Sequence, residues 1–361
     1  MPDPHPLPGS DVVVFPELAA GATGPLRLHV VRQGPGGSRL AGAGGTVAPR
    51  AGAGGTVAPR AGAGGTVAPR AGTGGTVAPP AGAGGAGRAP EALPVLLLHG
   101  PGASSYLWRD VVRDLSYSHA CTAPDLAGLG ASEHPRARTA YRPASQAHIL
   151  LALLDELGHD RVAVVGHDLG GSVAVQLAAI APRRVAALVL MTAPVHRDAW
   201  PAPAALPFLL PGTGTRYADL VAAVPALAAR TVRALTGEPA DAAGAADAAG
   251  AAGAAGSTGA AAALHLAGLH RRGGWRALAL FLRAVDGTAL QSAWDHLRQA
   301  PPPLLVLWGD EDRIRHPSYG RRLAREAADA VWVPLSGAGH LLPAEHPERV
   351  AEEVAGFLAE I

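Results

Sequence analysis

The sequence lacks lysine and asparagine altogether, so its basic residues other than histidine are all arginine. Thirty basic residues balance 29 acidic ones and leave a formal net charge of +1. Aromatic residues make up only 4% of the chain. Binding to nucleic acid needs a concentrated cationic face, and no basic run offers one. The composition therefore predicts no nucleic-acid partner.

Cysteine and long hydrophobic runs are also scarce. The single cysteine, Cys121, has no partner for an internal disulfide, and its place in a predicted strand over 119–123 indicates a small buried thiol. The first residues, M-P-D-P-H-P-L-P, lack the cationic and apolar segments of a secretion signal. No apolar run reaches the roughly 20 residues of a membrane-spanning helix. We expect a cytoplasmic protein without a membrane partner.

Metal-ligand spacing is missing as well. The histidines are spread singly along the chain, whereas zinc sites place their Cys and His ligands at short, regular spacings. The sequence predicts neither a metal nor a cofactor, and it makes no prediction of oligomeric state.

A decapeptide repeat dominates the first third of the chain. A-G-A-G-G-T-V-A-P-R begins at Ala41, Ala51 and Ala61, and a variant, A-G-T-G-G-T-V-A-P-P, begins at Ala71. Each copy has one valine as its apolar anchor, which is too little to offset the entropy of ordering. We predict a disordered loop over 34–92. The alternative is a stacked Gly/Ala array or a partner-binding segment.

Apolar runs alternate with segments of helical spacing from Leu93 to Met191. This alternation predicts an α/β fold with a mostly parallel, doubly wound sheet, whose ligand site lies at the carboxyl ends of the strands. The predicted strands are 93–98, 119–123, 162–165, 185–191, 304–308 and 330–334, preceded by an edge hairpin of 11–16 and 26–32.

The strand pattern is interrupted once, by an Ala- and Leu-rich region with helical spacing around 220–235 and 275–285. We interpret this region as a helical lid inserted into one globular core. The predicted organisation is N-terminal edge strands (1–33), the repeat loop (34–92), the first part of the core (93–194), the lid (195–301) with a low-complexity loop (241–263), and the second part of the core (302–361).

The rest of the fold is arranged around V-G-H-D-L-G-G-S, in which an apolar strand ends at the glycine-bracketed Asp168 and a helix-forming run follows. A strand that enters a helix through such a turn is typical of a nucleophile elbow. Most such turns carry serine. A carboxylate is already ionised at neutral pH and can attack saturated carbon directly, which leaves an alkyl ester. The alternative is that Asp168 only caps the helix.

Two later strand ends supply the partners. His340 lies in G-A-G-H-L-L, and G-D-E-D offers Asp310 or Asp312, of which we favour Asp312. The order nucleophile, acid, histidine is that of the α/β-hydrolase fold. Because a carboxylate needs no activation, His340 is predicted to activate the water that hydrolyses the ester, while the second carboxylate orients the imidazole.

Five segments together resemble the α/β-hydrolase superfamily, in particular its Asp-nucleophile branch of haloalkane dehalogenases and epoxide hydrolases. They are H-G-P-G-A-S-S-Y-L-W-R, P-D-L-A-G-L-G-A-S, V-G-H-D-L-G-G-S, L-W-G-D-E-D and G-A-G-H-L-L-P-A-E-H-P-E-R-V. The resemblance implies Asp168 as nucleophile, His340 as base and Asp312 as its partner. It also implies a small apolar organic substrate and water as the reactants.

The chain departs from the dehalogenase pattern at both halide-binding positions. Leu169 stands where those enzymes carry a tryptophan after the nucleophile, and Pro101 stands where they carry a second donor. Trp200 or Trp275 of the lid could substitute, although packing is the favoured role for each. The epoxide is therefore slightly favoured over the alkyl halide.

Epoxide hydrolases protonate the opening ring with lid tyrosines, and Tyr217 is the lid's one candidate. Pro101 also lacks the N–H that the family uses in its oxyanion hole, which leaves the N–H groups of Leu169 and Gly102. Two alternatives stay open: an ester hydrolase of the same fold, and a ligand-binding or interaction protein with weakened catalysis.

Overall fold

A computed structural model describes residues 10–15, 26–35, 92–237 and 267–361. Eight strands of this part of the chain form one sheet. They are β1 (Ser10–Phe15), β2 (Leu26–Gln33), β3 (Val95–Leu98), β4 (Cys121–Pro124), β5 (Val162–His167), β6 (Val185–Met191), β7 (Leu304–Gly309) and β8 (Val331–Leu335). Their spatial order is β1-β2-β4-β3-β5-β6-β7-β8.

The sheet is mixed in the way that the sequence predicts. β1 and β2 form an antiparallel hairpin at one edge, and β2 pairs antiparallel with β4. From β4 to β8 the neighbouring strands are parallel. Every residue of β3, β5, β6 and β7 is buried, as expected for strands covered on both faces. The predicted α/β fold class is confirmed.

Eleven α-helices lie in the described residues. They are α1 (Arg109–Leu115), α2 (Pro143–Glu156), α3 (Leu169–Ile180), α4 (Leu206–Leu209), α5 (Gly214–Ala223), α6 (Pro225–Thr236), α7 (Gly274–Ala284), α8 (Gly287–Leu297), α9 (Pro317–Glu326), α10 (Leu342–Glu345) and α11 (Pro347–Ala359). α4 to α8 fall between β6 and β7, where the sequence predicts a helical insertion.

The inserted helices differ from the prediction in one respect. The helical spacing over 220–235 belongs to two helices, because α5 ends at Ala223 and α6 begins at Pro225. Proline has no N–H to continue a helix but fits its first position. α8 adds a helix that the spacing did not single out, and Asp286 caps it by accepting hydrogen bonds from the N–H groups of Thr288 and Ala289.

The last helix packs as its periodicity predicts. Val350, Val354 and Leu358 are buried, and Phe357 is partly buried against the same core. Cys121 is fully buried in β4, and burial raises the pKa of its thiol to about 12. This placement confirms the expected structural thiol.

Residues 36–91, which carry the decapeptide repeats, and residues 238–266, which include the predicted low-complexity loop of the lid, lie outside the described residues. Both loop assignments stay predictions. In the described part of the chain, no helix combines the length and the apolar character needed to span a bilayer.

Candidate active site

Asp168 occupies a strained turn between β5 and α3. Its backbone has φ 47° and ψ −127°, in a region that L-residues rarely adopt. Its glycine neighbours permit this turn. A Cβ on Gly170 would lie 2.4 Å from the carbonyl oxygen of Leu98, and one on Gly166 would lie 2.5 Å from the Cα of Gly171. The turn therefore depends on glycine at both positions.

The side chain of Asp168 does not cap the helix that it precedes. Among the described residues it makes no capping hydrogen bond to α3. Its Oδ1 instead lies 3.2 Å from Nη2 and 3.4 Å from Nε of Arg315. The carboxylate thus points away from the helix axis, and the helix-cap alternative does not account for it.

Asp312 and His340 form a buried pair. Nδ1 of His340 lies 2.9 Å from Oδ2 of Asp312, and the two side chains are 3% and 0% exposed. Oδ1 of Asp312 accepts hydrogen bonds from the backbone N–H groups of Ile314 and Arg315, both at 2.8 Å. These bonds fix the carboxylate, which in turn fixes the ring and leaves Nε2 available for proton transfer.

Asp310, the alternative acid, points elsewhere. It is exposed and accepts a hydrogen bond at 2.8 Å from the backbone N–H of Gly337. Asp312 is therefore the carboxylate that the geometry joins to His340, as the sequence predicts.

Opposite influences set the protonation of the site. Burial alone would raise the pKa of Asp168, but the Arg315 guanidinium and the imidazoles of His340 and His167 hold the pKa of that carboxyl below its ordinary value. Burial alone would lower the pKa of His340, but the Asp312 carboxylate, with a contribution from Asp168, raises the pKa of this imidazole. Asp168 is therefore ionised at neutral pH.

His167 joins the nucleophile turn to the histidine loop. Its Nε2 lies 2.7 Å from the backbone carbonyl oxygen of His340, and the two rings are 5.1 Å apart. Burial and the positive charge of His340 lower the pKa of His167 to about 4. Its ring is therefore neutral at pH 7 and donates from Nε2 to the carbonyl.

The loop after β3 lies against the side chain of Asp168. A Cβ on Gly100 would meet Cβ of Asp168 at 2.9 Å and its Oδ2 at 3.1 Å. Pro101 and Gly102 follow in this loop, and Gly102 has φ 86°. Leu169 is fully buried as the first residue of α3. Of the predicted oxyanion-hole residues, Leu169 thus directly follows Asp168. Pro101 and Gly102 are the two residues after Gly100, which lies against the Asp168 side chain.

The three aromatic residues of the lid that the sequence predicts for the site lie in different surroundings. The ring of Trp200 lies 5.7 Å from the guanidinium carbon of Arg315, which contacts Asp168. Trp275 stacks on Phe208 at 6.3 Å, as a packing residue would. Tyr217 contacts the same Phe208 edge to face, and its hydroxyl lies 3.5 Å from Oγ1 of Thr231. Of these three side chains, only Trp200 is therefore connected to Asp168 through a described contact.

Arg315, His167 and Gly100 belong to the site although the sequence did not single them out. His167 directly precedes Asp168 in the elbow, and Gly100 lies in the H-G-P-G segment. Their places within these motifs were the sequence feature that could have identified both residues. Arg315 had no such signal, because the same loop holds Arg313, which is exposed.

Two other features give no alternative site. An open cleft of about 1050 Å³ runs along residues of α2, α3, α7 and α8, including Pro143, Gln176 and His296, and none of the residues that line it is Asp168, Asp312 or His340. In the described part of the chain, no cluster of three or more His, Cys, Asp or Glu side chains could hold a metal ion.

A mostly parallel sheet covered by helices, with a carboxylate on a strand-to-helix turn and an acid–histidine pair in the loops after later strands, is the arrangement of a class of α/β enzymes. A family model for the alpha/beta hydrolase fold matches residues 94–347. The chain belongs to the α/β-hydrolase fold family.

Relatives and a solved structure fall in the branches that the motifs resemble. The chain is 44% identical over 86 residues to a soluble epoxide hydrolase of Corynebacterium sp. (strain C12), a match that covers 24% of this chain and 29% of that protein. It is 28% identical over 279 residues to a haloalkane dehalogenase of Mesorhizobium japonicum, covering 74% and 84%. A putative epoxide hydrolase of Pseudomonas aeruginosa superimposes with a TM-score of 0.63 at 22% identity, covering 98% and 97%. The predicted resemblance to these branches is confirmed.

Proposed function

We propose that this chain is a hydrolase that opens a small electrophile, an epoxide or an alkyl halide, through a covalent ester on Asp168. One observation carries the proposal: a partly buried carboxylate, 13% exposed, occupies the strained turn between β5 and α3 and does not cap the helix. The Asp312–His340 pair lies in the same site and suits the hydrolysis of such an ester.

The first half of the reaction uses Asp168 alone as nucleophile. A carboxylate oxygen forms a bond to the electrophilic carbon while that carbon's bond to halide or epoxide oxygen breaks. The leaving group takes the bonding electrons, and an epoxide alkoxide then takes a proton. The low pKa of Asp168 keeps the attacking oxygen ionised.

The second half uses water. Nε2 of His340 removes a proton from water, which attacks Cγ of Asp168, and Asp312 stabilises the imidazolium that forms. The tetrahedral intermediate carries an oxyanion, for which the N–H groups of Leu169 and Gly102 are the candidate donors because Pro101 has none. Collapse of this intermediate restores the carboxylate and releases an alcohol.

The nucleophile type decides between reaction classes. Attack by a carboxylate on an ester carbonyl would give a mixed anhydride, whereas attack on saturated carbon gives an ordinary ester that a histidine-activated water can hydrolyse. The soluble epoxide hydrolase and the haloalkane dehalogenase relatives have names that fit the second chemistry. Because both expected halide-binding side chains are missing, we favour the epoxide.

Trapping the ester tests the proposal. His340→Gln retains the nucleophile but loses the base, so incubation with a panel of epoxides, haloalkanes and esters should leave a substrate-derived mass on the peptide that contains Asp168. Asp168→Asn is the matched variant, in which the added mass should be absent. Turnover that survives in Asp168→Ala would refute the assignment. Tight binding without turnover or adduct would favour a binding protein.

A further inference from the structure

Arg315 places a permanent positive charge against the proposed nucleophile. Its side chain is 3% exposed, and two of its nitrogens face Oδ1 of Asp168 at 3.2 and 3.4 Å. Nη1 donates to the backbone carbonyl of Ala199 at 2.5 Å, and the ring of Trp200 lies 5.7 Å from the guanidinium carbon. Residues at the start of the lid therefore hold the guanidinium in the site independently of Asp168.

The Arg315 guanidinium has more N–H donors than its contacts within the described residues use. It carries five N–H bonds, and its contacts within the described residues account for one on each of Nε, Nη1 and Nη2. One N–H on each terminal nitrogen is then available. A planar fork of this kind matches the two oxygens of a carboxylate better than it matches a neutral group.

Ester formation changes the balance of charge around Arg315. In the free protein Asp168 supplies the counter-charge. Once Asp168 becomes an ester it is neutral, and a nearly fully buried arginine loses its partner, which is a costly state. An anion that belongs to the substrate removes this cost, because it binds Arg315 before the attack and remains there throughout the life of the ester.

The same anion also frees the nucleophile. Oδ1 of Asp168 is the oxygen that Arg315 holds, and a carboxylate on the substrate competes for those donors. A neutral substrate leaves Oδ1 in its hydrogen bonds to the guanidinium. The contacts at Arg315 therefore favour a charged substrate at both stages.

We propose that Arg315 binds a carboxylate of the substrate, and that the enzyme prefers electrophiles that carry this group beside the reacting carbon. The inference rests on the aspartyl-ester chemistry proposed above. It narrows the substrate class from neutral apolar electrophiles to short carboxylates, such as a 2-halocarboxylate or an oxirane carboxylate.

The reaction with 2-bromopropanoate balances. Asp168 forms a bond to C2 while the C2–Br bond breaks, and bromide leaves with the bonding electrons as the substrate carboxylate stays on Arg315. His340 takes a proton from water, the resulting hydroxide attacks Cγ of Asp168, and the bond from Cγ to the ester oxygen, which came from Asp168, breaks. The proton on His340 passes to that oxygen, and 2-hydroxypropanoate is released. The second proton of the water leaves the new carboxyl group for solvent, which restores the Asp168 carboxylate, so that one proton is released for each bromide.

Isosteric probes isolate the charge. The full chain is assayed with 2-bromopropanoate against 2-bromopropanamide and with oxirane-2-carboxylate against oxirane-2-carboxamide. Each enzymatic rate is divided by the rate at which acetate in solution, without the protein, reacts with the same probe. This division removes the difference in intrinsic reactivity between acid and amide. We expect the normalised kcat/KM to favour the carboxylates by about a hundredfold, and Arg315→Gln to abolish this preference mainly through KM. Arg313→Gln, an exposed change two residues earlier, should leave the preference intact.

Arg315→Lys gives a second, independent readout. It keeps the charge but loses the fork, so it should retain a smaller preference than the wild type. Equal normalised rates for acid and amide in the wild type, or an undiminished preference in Arg315→Gln and Arg315→Lys, would overturn the inference.

The mass on the Asp168 peptide separates the two proposals. In His340→Gln, adducts that form from the amides as readily as from the acids refute the role of Arg315 and leave the proposed function standing. If none of the four probes gives an adduct on Asp168 while a neutral epoxide or haloalkane of the wider panel does, the role of Arg315 is refuted and the proposed function stands. If no epoxide or haloalkane gives such an adduct, or if the adduct lies on another residue, both proposals are refuted.

Discussion

Nε2 of His167 donates a hydrogen bond of 2.7 Å to the backbone carbonyl of His340, so the residue before the proposed nucleophile holds the loop of the proposed base. The ring is buried, and its pKa falls from 6.5 to about 4. This contact affects the stability of the fold as well as the position of the base.

The neutral ring of His167 should make the fold sensitive to acid. Between pH 6.5 and about 4 the unfolded chain binds a proton at this position that the folded chain does not. The free energy of unfolding should therefore fall as the pH drops through this window, by about 3 kcal/mol from this group alone. Urea unfolding at pH 7 and pH 4.5 measures the loss, and His167→Gln, which keeps a donor near the same place, should show a smaller one. Equal losses in both proteins would contradict the assignment.

The hydrolytic half-reaction should have an acid limb governed by His340, because protonation of this imidazole removes the base. Only the neutral imidazole accepts a proton from water, and the Asp312 carboxylate raises the pKa of this group. The decay rate of the ester in single-turnover experiments should therefore rise with pH and level off above the ordinary histidine value of 6.5. Ester formation, measured by release of the leaving group, should lack this limb. A limb common to both steps would assign it to another group.

The two candidate acids should separate by mutation. Asp312→Asn removes the charge that orients His340, and ester hydrolysis should slow by about a thousandfold or more, with the acid limb moving to lower pH. Asp310→Asn changes an exposed side chain that accepts one backbone hydrogen bond, so its effect on both half-reactions should stay within about twofold. A large effect of Asp310→Asn with a small one of Asp312→Asn would reverse the assignment.

The order of motifs made much of this site predictable. β5, β6 and β7 read as continuous apolar runs bounded by turn residues, and the parallel sheet brings their carboxyl ends to one edge. Asp168 directly follows β5, and Asp312 and His340 lie in the loops that follow β7 and β8. Their approach therefore required no knowledge of long-range packing. The break between α5 and α6 was also readable, because Pro225 cannot continue a helix.

Arg315 could not be predicted in this way. Arg313 and Arg315 flank Ile314 in one short loop, and the residue type gives no reason for one to be exposed and the other buried. The difference arises because Ala199 and Trp200, more than a hundred positions away in sequence, place a carbonyl and a ring against one guanidinium. Such a contact is set by tertiary packing alone.

A second network, centred on Glu326, should stabilise the region where the lid begins. Its Oε2 accepts hydrogen bonds from Nε2 of His196 at 2.8 Å and Nε1 of Trp294 at 2.7 Å, and its Oε1 accepts one from Nε of Arg322 at 2.8 Å. An amide has only one acceptor oxygen, so Glu326→Gln leaves a donor facing a donor.

We expect Glu326→Gln to lower the free energy of unfolding by about 1–3 kcal/mol, as measured by urea denaturation at pH 7. Glu352→Gln on α11 is the matched control, since Glu352 is 69% exposed and makes one 3.5 Å contact with Arg349. Its effect should be about 0.5 kcal/mol or less. Comparable losses in the two variants would show that the Glu326 network contributes no more than a surface ion pair.

Two glycine-to-alanine changes should have opposite signs. A Cβ on Gly170 would lie 2.4 Å from the carbonyl oxygen of Leu98 and 2.5 Å from that of His99, and backbone atoms of a central strand have little room to move. Gly170→Ala should therefore cost about 2 kcal/mol or more and displace the elbow, with loss of ester formation. Gly356 lies in α11, where an added Cβ would meet no atom within 4 Å outside its own helix backbone, so Gly356→Ala should add about 0.5–1 kcal/mol because alanine loses less entropy in a helix. Thermal and urea unfolding of both variants measure the contrast, and a destabilisation shared by the two would mean that close packing at the elbow is not what requires glycine there.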